Sequence, residues 1–161
     1  MSWWRRQRTA AIALMIAAMV AAGTIWLFEV VPSRDEPTVS TTVATTTVTV
    51  DGNTIDPPTV RVDEFAGPAG TTTVSVRVPA RSDADASSCG SFTLTEQATG
   101  RVWVTAGSEV DVSDDDAERS CVPDSASYTI LAVFLLPDDV SGLFWFDMTF
   151  DDTVVRFELT G

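Results

Sequence analysis

The stretch Phe144-Trp145-Phe146-Asp147-Met148-Thr149-Phe150-Asp151-Asp152-Thr153-Val154-Val155-Arg156-Phe157-Glu158-Leu159 decides the fold class. Side chains alternate between the two faces of a strand. Phe144, Phe146, Met148 and Phe150 therefore share one face, and Val155, Phe157 and Leu159 share a face of the next strand. Asp151-Asp152 supplies the turn between them. A hairpin with one strongly apolar face must bury it against a second layer, so the rest of the chain has to provide a covering sheet.

The segments before it meet that requirement. Ser127 to Leu136 (SYTILAVFLL) is almost continuously apolar, which predicts a central strand buried on both faces. Phe92 and Leu94 lead into the turn Glu96-Gln97-Ala98-Thr99-Gly100, and Val102 and Val104 lead out of it, a hairpin signature. Val74, Val76 and Val78 alternate with Thr73, Ser75 and Arg77, and Val60 and Val62 alternate with Thr59 and Arg61. Val48 and Val50 alternate with Thr47 and Thr49. Seven or eight strands without an amphipathic helix predict an all-β domain over residues 43–161, an antiparallel immunoglobulin-like β-sandwich.

The N-terminal part has a different grammar. Thr9 to Phe28 is 20 residues without a charge, and a helix of that length covers about 30 Å, the thickness of a hydrocarbon core. Arg5, Arg6 and Arg8 stand before it, and Trp3, Trp4 and Trp26 fall where interfacial anchors belong. The expectation is one N-terminal transmembrane helix preceding the sandwich, with the N-terminus cytoplasmic and the domain outside the cell membrane. The chain then divides into a basic tail (1–8), a signal anchor in the lipid bilayer (9–31), a Pro- and Thr-containing linker (32–42) and the β-domain (43–161). The competing expectation is signal cleavage near Val20-Ala21-Ala22, although the apolar run continues through Ile25, Trp26, Leu27 and Phe28.

Charge and composition exclude several chemistries. The net charge is −13, all 23 acids follow the apolar run, and only seven of the ten Lys+Arg residues do. Such a surface repels nucleic acid. The chain has no His and all its cations are Arg. A Ser-His-Asp triad, a His-based metal or haem site, a Schiff-base lysine and a P-loop lysine are thereby excluded. Neither an enzymatic activity nor a cofactor is expected.

Cys89 and Cys121 are the only cysteines, and an even count in an oxidising compartment favours a disulfide. Closing that loop stabilises the fold by about 3.5–4 kcal/mol in the chain-entropy model. A catalytic dithiol would want a close C-x-x-C pair, which the sequence lacks. Between the cysteines, Asp111, Asp114, Asp115, Asp116 and Glu118 are the one cluster with metal-ligand chemistry, since grouped carboxylates suit Ca²⁺. The run has neither the alternation nor the sixth-position Gly of an EF-hand, and a solvated loop is the competing reading.

The opening WWRRQR before an apolar segment resembles the start of a family of uncharacterised single-pass membrane proteins of actinobacteria. Cys121-Val122-Pro123, Leu136-Pro137-Asp138-Asp139-Val140 and Leu143-Phe144-Trp145-Phe146 are similar to that family's C-terminal half, and Cys89 falls where its first cysteine is expected. The resemblance implies membrane topology, a disulfide and lineage, and carries no activity with it.

Two functions follow as expectations. One is a membrane-anchored interaction module that binds an envelope protein or wall polymer, with sheet edges, Trp103 and Trp145 as places to look. The other is a domain responsive to a divalent cation such as Ca²⁺, or one that binds a small ligand. The cation reading expects a rise in melting temperature with millimolar Ca²⁺ that Asp115→Asn plus Asp116→Asn abolishes. No shift would remove it.

Overall fold

The computed structural model describes residues 2–25, 39–106, 109–112 and 117–159. The chain separates into two compact units, Met1–Thr38 and Val39–Gly161. The first contains helix α1 (Ser2–Ile25). Among the described residues no helix is long and apolar enough to cross a membrane, which overturns the expected transmembrane helix. The physical reason lies in the length of uncharged helix among the described residues. The opening turns carry Arg5, Arg6 and Arg8, and the uncharged run that follows within the described residues is 9–25. That part is about 25 Å long, short of a hydrocarbon core of about 30 Å. Trp3, Trp4, Arg5, Arg6 and Arg8 lie on this helix. Trp26 and the remainder of the expected 9–31 span lie outside the described residues.

Among its described residues the second unit has ten strands: β1 (Ser40–Ala44), β2 (Val48–Val50), β3 (Asn53–Ile55), β4 (Thr59–Val62), β5 (Thr71–Ser82), β6 (Phe92–Glu96), β7 (Val102–Val104), β8 (Ser125–Pro137), β9 (Phe144–Phe150) and β10 (Thr153–Leu159). They form two sheets. Sheet A runs β1-β10-β9-β6-β7. In sheet B, β5 pairs with β8 along one edge and with β3 and β4 in succession along the other, and β2 lies outside β3. The expected all-antiparallel pairing fails at one place, because β1 lies parallel to β10. Ser40 to Thr42, expected in the linker, already belong to that strand.

The two-residue period assigns the inner faces. Phe146, Met148 and Phe150 of β9 and Val155, Phe157 and Leu159 of β10 are buried. Opposite them, β5 and β8 pair Val74 with Phe134, Val76 with Ala132 and Val78 with Ile130, so large and small side chains alternate along the seam. The sheets meet where the rings of Phe134 and Phe146 pack edge to face, their centroids 6.1 Å apart. At one end a polar group is buried with its bonds satisfied. Ser82 Oγ donates to Asn53 Oδ1 (2.6 Å) and accepts from Tyr128 Oη, while Asn53 Nδ2 donates to the Ser87 carbonyl (2.8 Å). Because an unpaired buried amide is costly, this network fixes the register of β3, β5 and β8 together.

β8 is buried on both faces as its composition requires, but it is not central. Its ladder is with β5 alone, and its outer edge is covered by loop backbone. Glu118 N–H donates to the Thr129 carbonyl, Leu131 N–H to the Glu118 carbonyl, and Ala106 N–H to the Val133 carbonyl. The same loop places Ala106 and Val110 on Leu131 and Val133, forming a small second core. An edge that would otherwise invite another strand is thus closed within the chain.

Cys89 and Cys121 are bonded and buried, with Cα atoms 5.2 Å apart. The bridge ties the loop entering β6 to the loop entering β8, one strand from each sheet. Replacing both cysteines by serine is expected to cost about 3–4 kcal/mol of unfolding free energy, read by urea denaturation of the full chain. A loss below about 1 kcal/mol would show that the unfolded chain gains little freedom from the cut.

Candidate functional site

With Phe146 and Phe157 facing inward, the intervening residues of sheet A face out. The strand register sets them in two rows. One runs Val43, Arg156, Asp147, Thr93, Val104, and the other Glu158, Trp145, Thr95, Val102. Val43, Val102 and Val104 are 58%, 59% and 69% exposed, a high value for apolar side chains grouped on one face.

The centre of the face is an ion pair. Arg156 Nε donates to Asp147 Oδ1 and Arg156 Nη2 to Asp147 Oδ2, both at 2.7 Å, the two-pronged geometry that a guanidinium offers a carboxylate. Asp147 is only 8% exposed. Its hydrogen bond holds the guanidinium pKa above the ordinary arginine value, against the opposing effect of desolvation. The guanidinium carbon also stands 5.6 Å from the Trp145 ring centre, a cation–π distance. Trp145 is half-buried beneath it. The pair cancels its own charge, which leaves Glu158 as the other charged member of the two rows, bonded to Gln97 Nε2 at 3.3 Å.

Trp103 has a different place. It pairs with Leu94 across β6 and β7 and sits edge to face on Phe144 at 6.2 Å, with the Arg101 guanidinium 5.5 Å above it. It closes the rim of the core, so of the two tryptophans only Trp145 belongs to the outward face. Glu96, buried below, accepts from Arg101 Nε at 3.0 Å and from Thr99 Oγ1, and these bonds lower its pKa.

Of the acidic run, Asp111 and Glu118 are among the described residues. Asp111 is exposed, and Glu118 is exposed with its backbone committed to β8. Asp114, Asp115 and Asp116 lie outside the described residues. Among the described residues no group of three or more His, Cys, Asp or Glu side chains is placed to hold a metal ion.

One charged cluster is not signalled by spacing. On the outer face of sheet B, Glu64 accepts from Arg61 Nη1 (2.9 Å), Arg77 Nη2 (3.0 Å) and the buried Ser75 hydroxyl. Desolvation pushes the Glu64 pKa up, but the bonds from Ser75, Arg77 and Arg61 outweigh it and leave the pKa below its ordinary value. Only the meeting of β4 with β5 brings these residues together, so the primary sequence shows the cluster merely as dispersed charges.

Comparison with protein-family models, with curated proteins and with solved structures finds no match for this chain.

A carboxylate whose pKa is lower in the folded chain binds its proton more readily when unfolded. Its stabilising contribution is therefore complete above the unfolded pKa and is lost as pH falls through the folded one. The melting temperature of the full chain is expected to drop as pH is lowered below about 4.3. Glu64→Gln should lower stability at neutral pH and flatten that acid limb. An unchanged acid limb in the variant would show that Glu64 does not contribute to it.

Proposed function

We propose that the β-domain is a non-catalytic interaction module working outside the cytoplasm, where it binds an envelope protein or wall polymer. The observation that carries the reading is the outer face of sheet A. On a chain of net charge −13, that face groups exposed Val43, Val102 and Val104 around Trp145 and an internally neutralised Arg156–Asp147 pair. Contact surfaces are depleted in unpaired charge at their centres and enriched in aromatic residues and Arg. Trp and Arg are also the side chains that most often carry binding energy.

The bonded cysteines support an oxidising compartment. The pairing of β5 with β8, opposite a sheet containing β6, β9 and β10, supports the finer reading as an immunoglobulin-like sandwich. Kinship with the actinobacterial family rests on the residues that carry that resemblance. Absence of His and Lys supports the non-catalytic reading by removing the commonest bases and amine nucleophiles.

Crosslinking on intact cells that express the tagged full chain, followed by mass spectrometry and by co-sedimentation with purified wall, tests the reading. The wild-type chain is expected to retain a reproducible partner. Val102→Asp with Val104→Asp is expected to reduce that capture at least about tenfold, because charged groups at a contact centre must be desolvated. Both positions are exposed, so the variant keeps the core intact. Equal capture by both chains would rule out this face as the contact.

A further inference from the structure

At the end of the sandwich where β5 begins and β8 ends, the two sheets part. Val74 and Leu136 line a cleft there, with Val62, Val140, Leu143 and Phe144 completing its apolar walls. Its volume is about 510 Å³, within the range of sites that hold small organic molecules. Val62 and Leu143 at the mouth are 57% and 46% exposed. The cleft follows from the architecture: β9 starts at Phe144 and β4 stops at Val62, so neither strand covers the ends of β5 and β8.

The polar groups of the walls are the hydroxyls of Thr72 and Ser141. Thr72 Oγ1 donates to Asp138 Oδ1 at 3.1 Å, which sets a carboxylate one hydrogen bond from the wall. Asp139 follows it on the same exposed turn, which leads directly into Val140. Of the nearby arginines, Arg61 binds Glu64, and Arg101 binds Glu96, stands over Trp103 and also attracts Asp139, which leaves Asp138 as the carboxylate at the wall. An apolar slot with the Asp138 carboxylate one hydrogen bond from its wall favours a ligand with an apolar body and a positive end, and disfavours an anionic amphiphile of the same shape.

We infer that this cleft binds a small cationic amphiphile, with its apolar part between Val74, Leu136 and Phe144 and its positive group at Asp138. The site lies between the sheets, whereas the outer face of sheet A faces away from them, so either reading stands or falls without the other.

Isothermal titration of the full chain with three ten-carbon probes, each below its micelle concentration, provides the test. Decyltrimethylammonium is expected to bind saturably at one site, at least about tenfold more tightly than decyl maltoside, with decyl sulfate weaker still. Asp138→Asn should bring the cationic probe to within about threefold of the neutral one. Asp151→Asn, which removes the same charge from the β9–β10 turn, should leave the preference intact. Ser141→Trp, which fills the exposed mouth, should abolish saturable binding. Saturable binding that survives Ser141→Trp would overturn the site, and so would the absence of saturable binding by the wild type. Equal affinity for the three probes would overturn the assignment of ligand charge.

Discussion

Phe134 of β8 and Phe146 of β9 meet edge to face in the middle of the β-domain, and both are fully buried. That contact fixes which way every neighbouring side chain points. A slip of one residue in β9 would put Trp145, Asp147 and Thr149 into the core and turn Phe146, Met148 and Phe150 into solvent. Burying side chains of this size contributes about 1.5–3 kcal/mol each, so such a slip would cost an amount comparable to the net stability of an ordinary domain. With β9 held, β10 and β6 follow through their ladders, and the residues between the inward positions become the outer face of sheet A. The face proposed for binding is therefore a by-product of core packing. Its composition is what gives it meaning: exposed Val, half-buried Trp and a charge pair that cancels itself.

The sequence makes β9 and β10 plain because each alternates without interruption. The same holds for the β6–β7 hairpin and for β5 around Val74 to Val78. The double-faced burial of β8 is legible from its continuous apolar run, but its position at an edge is not. A run of apolar residues reports that both faces are covered and does not say whether strands or loops do the covering. Here the loop residues Ala106, Val110 and Glu118 do, and nothing in their spacing announces it. β3 is signalled by Asp51-Gly52, whose φ angles of 47° and 78° suit a two-residue hairpin turn, a feature that the alternation of Val48 and Val50 alone does not convey. The parallel pairing of β1 has no local signature, since it depends on a partner more than 100 residues away.

The N-terminal segment is the clearest divergence. An uncharged run of 20 residues satisfies a length rule for spanning a bilayer, whereas among the described residues the uncharged part of the helix, after three arginines, is 9–25. Length counted along a sequence and length of uncharged helix are different quantities, and the bilayer requires the second. The candidate site was legible only in part. Trp145 could be placed opposite Phe146 by period alone, whereas its cover by Arg156, and Asp147 as that arginine's buried partner, needed the register of β9 on β10. The Glu64 cluster and the cleft beneath Val140 both arise where separated segments meet, so neither has a sequence pattern of its own.

Whether the outer face of sheet A is occupied where the protein works is the question on which the functional account turns. Hydroxyl-radical footprinting of the full chain, once purified and once in envelope-intact cells, addresses it residue by residue. Met148, fully buried in the core, serves as the internal reference and should stay unlabelled in both samples. The account predicts labelling of Val102, Val104 and Trp145 in the purified chain and clear protection of all three in cells. Equal labelling in the two samples would contradict it, because the face would then remain open to water in place.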